Sequence, residues 1–556
     1  MRWLPAVVLN TLLLWTINVA AEQPPEHAYV SSAHPLASAA GIAILKQGGN
    51  AIDAAIAVTA ALAVVEPYGS GLGGGGFYLL RRAGKTADYH FLDARERAPL
   101  AAHADLYRVD GKIDPKLSLD GALAAAIPGI PAALDALSQR HAHLSLADNL
   151  APAIALARDG FAIDAVYQER AGWRLAALQN DPESARLFLD QQAIPEQGWI
   201  LRQPELAATL SLLAKHGQKG FYHGAFAEKL VDAVQDAGGI WSLDDLAQYR
   251  VKWRAPLIVP LAEQRQLITA PPPSAGGIAI AQSLLMLQRF PWQQAEPAQR
   301  AHYIAEVFRR AYRDRSLLGD PDFVDNPTQA LLARKHIVEM TSSISVDHAT
   351  PSSSLTPGVK LHEGDHTTHF AVLDQQGNAV AATLSLNMMF GAAFTVPGTG
   401  VLLNDEMDDF AADLTGSNAY GLTGSVANQI QAGKRPLSSM SPSFLEGPND
   451  FSAFGTPGGS RIPSMNVLAM LEYLDGKAPA QWVASPRIHH QYLPDVLGFE
   501  PGTLTLQQQR RLERKGHTLQ ELTRNYGNQQ VLWWHKDSGQ SAAASDPRGQ
   551  GVSLHH

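Results

Sequence analysis

A hairpin spelled out between residues 364 and 386 constrains this chain more than any other stretch. A polar segment, Gly364-Asp365-His366, turns abruptly into a β-type run from Thr367 to Leu373, and Asp374-Gln375-Gln376-Gly377-Asn378 separates it from a second run, Ala379 to Leu386. Two such runs joined by a short polar connection read as a hairpin, and Gly377-Asn378 tolerates the positive φ that its turn needs. A mirror line through Gln376 sets Ser385 opposite Thr367, hydroxyl against hydroxyl. The two-residue period of a strand sends Thr383, Ser385 and Asn387 to the face that Thr367 shares. On spacing alone, a solvated sheet face is the ordinary reading of such a polar stripe.

Upstream, Leu36 to Lys46 has helical spacing and stops at Gly48-Gly49. Asn50 is placed to cap a second helix, Ala51 to Val65, with Asp53 in its first turn, where an acid suits the helix dipole. Glu66-Pro67 ends it. The run Ser70-Gly71-Leu72-Gly73-Gly74-Gly75-Gly76 leads into a strand and lacks a following lysine, so it makes a poor phosphate cradle. It is expected to let backbones approach closely in a tight core. A further strand is expected from His90 to Ala94, followed by Arg95-Glu96. From Ala101 to about Arg334 the pattern is chiefly helical, and Thr350 to Gly358 has the Ser/Pro content of a mobile linker. His141 and His143 read as surface histidines rather than metal ligands, with no third ligand nearby.

The 556 residues are 46% hydrophobic and 17% charged, which specifies a globular chain with a large core. A formal net charge of −9, with no basic stripe, argues against a nucleic-acid footprint. There is no cysteine, so disulfides and lipidated-cysteine anchors are excluded. Residues 1–21 run from Arg2 through an apolar stretch to Val19-Ala20-Ala21, the form of a secretory signal. An exported protein, periplasmic or secreted, is expected after its removal, without a membrane anchor.

Thr367-Thr368-His369 resembles the self-cleavage segment of the γ-glutamyltranspeptidase family. Further matches follow in the family order: Asp93-Ala94-Arg95-Glu96-Arg97-Ala98-Pro99, Asn404-Asp405-Glu406-Met407-Asp408-Asp409-Phe410, Pro436-Leu437-Ser438-Ser439, Thr456-Pro457-Gly458-Gly459-Ser460-Arg461, and the ending Ser545-Asp546-Pro547-Arg548. The resemblance implies that the His366-Thr367 bond is cut and that Thr367 becomes both nucleophile and, through its freed α-amine, base. It implies that Gly458 and Gly459 offer backbone N–H groups to the oxyanion, with Ser385 beside Thr367. Arg95, Ser438 and Ser439 would hold a substrate α-carboxylate. Asn387, Glu406 and Asp409 would hold its ammonium, and Tyr420 would close over the pocket. Arg315 and its neighbours read as scaffold, and His489 and His490 as structural. The residues from His362 to His366 match the family poorly.

The fold so implied is α+β, a four-layer αββα sandwich of the N-terminal-nucleophile hydrolase type. It would be built from a large subunit, 22–366, and a small one, 367–556, paired as a heterodimer in one intertwined domain. The implied activity is that of a γ-glutamyltransferase and glutathione hydrolase. It would take small γ-glutamyl compounds as donors, and water, amino acids or peptides as acceptors, with no metal or cofactor. The alternatives are a glutaryl β-lactam acylase, a poly-γ-glutamate depolymerase, and an exported binding protein that never processes.

Overall fold

The computed structural model describes residues 22–84, 87–355, 367–411 and 425–556. The expected signal segment, the residues from 356 to His366 and the expected lid residue Tyr420 lie outside them. Two sheets carry the architecture. In chain order the strands are β1 (Tyr29–Ser32), β2 (Gly75–Arg82), β3 (Asp88–Ala94), β4 (Lys252–Arg254), β5 (Leu257–Pro260), β6 (Gln266–Thr269), β7 (Thr368–Leu373), β8 (Ala379–Ser385), β9 (Ser443–Glu446), β10 (Asp450–Gly455), β11 (Gln530–His535), β12 (Ser541–Ser545) and β13 (Val552–His555). The first sheet is ordered β13-β1-β7-β8-β2-β3-β4 and the second β12-β11-β10-β9-β6-β5. Every pairing within them is antiparallel.

The period of two divides the hairpin strands between two cores. Phe370 and Val372 of β7, with Val380 and Ala382 of β8, pack against α1 (Pro35–Lys46) and α2 (Ala51–Val65). Ala371, Leu373, Ala379 and Ala381 point the other way, onto Phe444, Phe451, Ala453 and Leu532 of the second sheet. Beyond α3 (Ala165–Asn180) in sequence, the helices α4 (Gly276–Leu287), α5 (Pro297–Asp314) and α6 (Ile462–Leu474) supply the third core, against Leu267, Leu445, Phe454 and Val531.

Helix α2 is buried at every position. Asn50 and Asp53 form the expected capping box, and Asp53 also accepts from the backbones of His143 and Leu144 and from the Asn149 side chain. Among the described residues no helix is long and apolar enough to cross a membrane.

The polar stripe of the hairpin is not solvated. Thr383, Ser385 and Asn387 are all buried, and the pairs Thr368↔Leu384 and His369↔Thr383 carry the register one step further to Thr367 and Ser385, as the mirror line gave. Three other readings change. The chiefly helical region also contributes β4 to the first sheet and β5 and β6 to the second. The Ser/Pro-rich linker is tied down at Ser352, which is buried and bonded to Arg309, Asp495 and the Tyr492 carbonyl. His141 is buried at the end of its helix with its ring 4.9 Å from that of His90, not on the surface.

The glycine run does what a bare backbone allows. A Cβ on Gly73 would lie 2.0 Å from the Leu402 carbonyl oxygen, and one on Gly74 would lie 2.1 Å from that of Ser385. Both neighbours are backbone, so neither can swing aside. Gly73→Ala is therefore expected to destabilise the protein by about 1–3 kcal/mol or more, read as a lowered thermal midpoint. An unchanged midpoint would show that the strands do not meet this closely.

Candidate active site

Antiparallel order brings the candidate residues to one end of the two sheets. Thr367 precedes β7, Ser385 ends β8, Gly75 opens β2 opposite Ser385, and Arg95 follows β3, whose last residue Ala94 pairs with Gly76. In the second sheet, β9 begins just after Ser438-Ser439, and β10 ends at Gly455. The sheets touch there: a Cβ on Gly455 would fall 1.9 Å from the His369 ring. The chain then continues from Gly455 to Gly458 and Gly459, both at positive φ (135° and 54°), a conformation that glycine adopts without strain.

Thr367 and Gly458 line one cavity of about 440 Å3, together with Glu66, Tyr68, Arg461 and Tyr526. His369 is buried with its Nδ1 2.9 Å from Thr383 Oγ1, and burial pushes its pKa down to about 3. A ring so weakly basic is a poor proton acceptor. Ser385 Oγ accepts from the Asn387 backbone N–H at 2.8 Å. Asn387 itself sits at φ 74° and donates from Nδ2 to the Asp405 carbonyl at 3.0 Å.

The carboxylate and ammonium grips, expected as separate groups, are in direct contact. Arg95 is fully buried and ion-paired with both Glu406 and Asp409, and Glu96 lies 3.6 Å from it. Burial works against the guanidinium charge, but Glu406 and Asp409 outweigh it and raise the Arg95 pKa. Its remaining donors go to the carbonyls of Pro436 (3.1 Å) and Leu437 (3.2 Å). These precede the two serines rather than belong to them. Ser439 Oγ instead accepts from Arg315, and Ser438 Oγ from the Met440 backbone. Arg315, read as scaffold, is thus a second buried arginine of the site, its pKa brought down to about 10 by burial despite the charge of Asp409.

The buried acids respond accordingly. Burial raises Glu406 to about 7 against the pull of Arg95. Burial, followed by the charge of Glu406, raises Glu96 well above the carboxylate range. Asn404 pins this loop to the glycine run, donating to the carbonyls of Gly73 (2.7 Å) and Ala126 (2.8 Å).

The sequence alone did not place Glu66 in the cavity. Glu66, at the carboxyl end of α2, accepts from Thr368 Oγ1 at 2.7 Å and from the Tyr68 hydroxyl at 3.3 Å. Burial lifts its pKa from 4.5 to about 7, and the two hydroxyl donors pull it only partly back. Its only signal in the sequence was its place before Pro67, which reads equally well as a helix stop.

With this geometry in view, the comparisons are specific. The gamma-glutamyltranspeptidase family model matches residues 37–555. A glutathione hydrolase proenzyme of Pseudomonas sp. (strain A14) is 39% identical, covering 90% of this chain and 88% of its own. Among solved structures, a cephalosporin acylase from Bacillus halodurans superposes with a TM-score of 0.84 at 25% identity over 99% of both chains. Helicobacter pylori gamma-glutamyltranspeptidase gives 0.56 at 34% identity, covering 62% of this chain and 97% of that one. The chain belongs to the gamma-glutamyltranspeptidase family.

The shift at Glu66 has a definite consequence for stability. The folded protein holds this proton more tightly than the unfolded chain does. The contribution is therefore fully present below the unfolded pKa of 4.5 and is lost as pH rises through about 7. The amount is on the order of 3 kcal/mol. Glu66→Gln, which cannot titrate, is expected to flatten the fall in unfolding free energy between those limits. Parallel profiles for the two proteins in denaturant titrations would show that Glu66 is already ionised in the fold.

Proposed function

We propose that the protein is a γ-glutamyltransferase and glutathione hydrolase that matures by cutting itself at His366-Thr367. Thr367 Oγ adds to the His366 carbonyl, the C–N bond breaks, and water opens the resulting ester to leave a free α-amine on Thr367. In turnover that amine takes the Thr367 hydroxyl proton as Oγ attacks a γ-glutamyl carbonyl. The N–H groups of Gly458 and Gly459 steady the oxyanion, and the departing amine leaves with the proton. Water or an acceptor amine then takes the γ-glutamyl group from the ester. The processed chains, 22–366 and 367–556, remain together as a heterodimer in an αββα sandwich of the N-terminal-nucleophile type. Residues 1–21 direct export.

The observation that carries this reading is the shared cavity of Thr367 and Gly458 together with a buried ion cluster of Arg95, Glu406 and Asp409, reached from the same strand ends. An α-amino acid head bears a carboxylate and an ammonium on one carbon. It can insert into such a cluster, giving its carboxylate to Arg95, with Ser438 and Ser439 alongside, and its ammonium to Glu406 and Asp409, with Asn387 alongside. The pairs that Arg95 makes with Glu406 and Asp409 are thereby exchanged for pairs with the two charges of the ligand, which limits the desolvation cost of a buried charge. Ser385 and Tyr420 complete the set, beside the nucleophile and over the pocket.

Two measurements test the reading. Thr367→Ala is expected to run as one full-length chain in denaturing mass analysis and to lack γ-glutamyl turnover. Ordinary turnover by that variant would exclude Thr367 as nucleophile. The likeness to a cephalosporin acylase makes a glutaryl amide the informative competitor, since a glutaryl group has no ammonium to offer Glu406 and Asp409. Faster turnover of a γ-glutamyl anilide than of the matching glutaryl anilide is expected, and equal rates would remove the role given to the ammonium.

A further inference from the structure

The wall of the Thr367 cavity is unusually rich in arginine. Among the described residues, Arg170, Arg461, Arg524 and Arg548 line it, with Glu66 and Glu169 as the acids. Arg548 is committed to Glu500 (2.6 Å) and Asp546 (3.2 Å), and Arg461 lies over the Tyr526 ring at 4.9 Å. Arg170 and Arg524 are disposed differently. Their guanidinium carbons lie 4.3 Å and 3.9 Å from the centre of the same ring, Trp173. Arg170 and Trp173 are three residues apart on α3, so they share a helix face. Arg524 reaches the same ring from the loop after Glu521.

This arrangement gathers two like charges around one indole that is itself 42% exposed. Cation–π attraction offsets part of their repulsion, and the exposed Glu169, 3.9 Å from Arg170, offsets the repulsion felt by that arginine but, among the described residues, has no pair with Arg524. Burial and the neighbouring charge of Arg524 both lower the Arg170 pKa, which an anion seated between the two would relieve. A guanidinium that stacks uses its face, leaving its in-plane N–H donors suited to a carboxylate.

We propose that Arg170 and Arg524 form a subsite for a carboxylate carried by the amine that leaves, or attacks, the γ-glutamyl group at Thr367. The inference rests on the γ-glutamyl reading and extends it to the other half of the substrate. The head of the donor is held by the Arg95 cluster, which does not line this cavity wall. The leaving amine and the attacking amine must pass through the same space beside the ester carbonyl, so one carboxylate subsite serves both. It selects amino acids and peptides with a free carboxyl end over neutral amines.

The test compares γ-glutamyl para-nitroanilide with its ring-carboxylated counterpart, which differs only in the carboxylate, on the whole processed protein. Arg524→Gln and Arg170→Gln are each expected to raise KM for the carboxylated anilide about tenfold while changing KM for the plain one by less than about twofold. Arg524→Lys, which keeps the charge, should recover part of the difference. KM does not depend on the fraction of folded enzyme, so a variant that folds in low yield still reports. Transfer to glycylglycine and to its amide shows whether the arriving amine uses the same subsite, and an equal KM for both acceptors in the natural protein would confine the subsite to the leaving group. An unchanged KM ratio for the two anilides in both glutamine variants, with brisk turnover, overturns the subsite and leaves the γ-glutamyl reading standing. No turnover of either anilide by the natural protein overturns both.

Discussion

The close backbone approach at Gly73 to Gly76 is the constraint on which the rest of the site depends. At Gly73 and Gly74 there is no room for a Cβ because carbonyl oxygens of Leu402 and Ser385 stand about where it would be, and at Gly75 the Glu96 carboxyl fills that space. Three separate segments are thereby drawn against one strand end: the acidic loop after Leu402, the end of the hairpin, and the Arg95-Glu96 pair. A side chain of any size would push them apart, and the charged groups could no longer meet away from water.

Once together, those groups face a charge problem. Arg95 and Arg315 bring two guanidinium groups, while Glu96, Glu406 and Asp409 bring three carboxyls, all buried. An uncompensated charge in such a place is costly, and the fold meets the cost by holding protons: Glu96 and Glu406 are both pushed upward by burial. With Glu96 protonated, two guanidinium groups face two carboxylates, so the site is close to electrical balance by itself, and a ligand that brings both signs preserves that balance. The same logic applies to Glu66, whose proton spares the fold a buried carboxylate charge in the cavity that Thr367 lines.

The frame does not choose the chemistry of the substrate. Sheet order and helical packing are shared with a cephalosporin acylase over nearly all of both chains, at only 25% identity. What differs between members of such a fold is decided at the strand ends and in the loops that follow them. Here those are the Arg95 cluster after β3 and the arginine-lined wall of the Thr367 cavity. A two-sheet sandwich gives both sides rigid walls, so specificity can be set by a few side chains without disturbing the cores.

The local rules of the chain determined a good deal. The hairpin register around Gln376, the capping box of Asn50 and Asp53, and the tight packing at the glycine run were all legible, because each depends on periodicity, capping or side-chain size within a short window. The candidate nucleophile and the residues expected in the two grips were named through family motifs rather than spacing. Tertiary structure alone decided the rest. That Arg95 is paired with Glu406 and Asp409 across more than 300 residues, that Arg315 reaches Ser439, and that Glu66 bonds Thr368 depend on which strand ends an antiparallel sheet brings together. The polar stripe of the hairpin reads as solvated in isolation and is buried because a second sheet covers it, and β4 to β6 find their places only when strands distant in sequence supply partners. Periodicity fixes which way a residue points; only packing fixes what it meets.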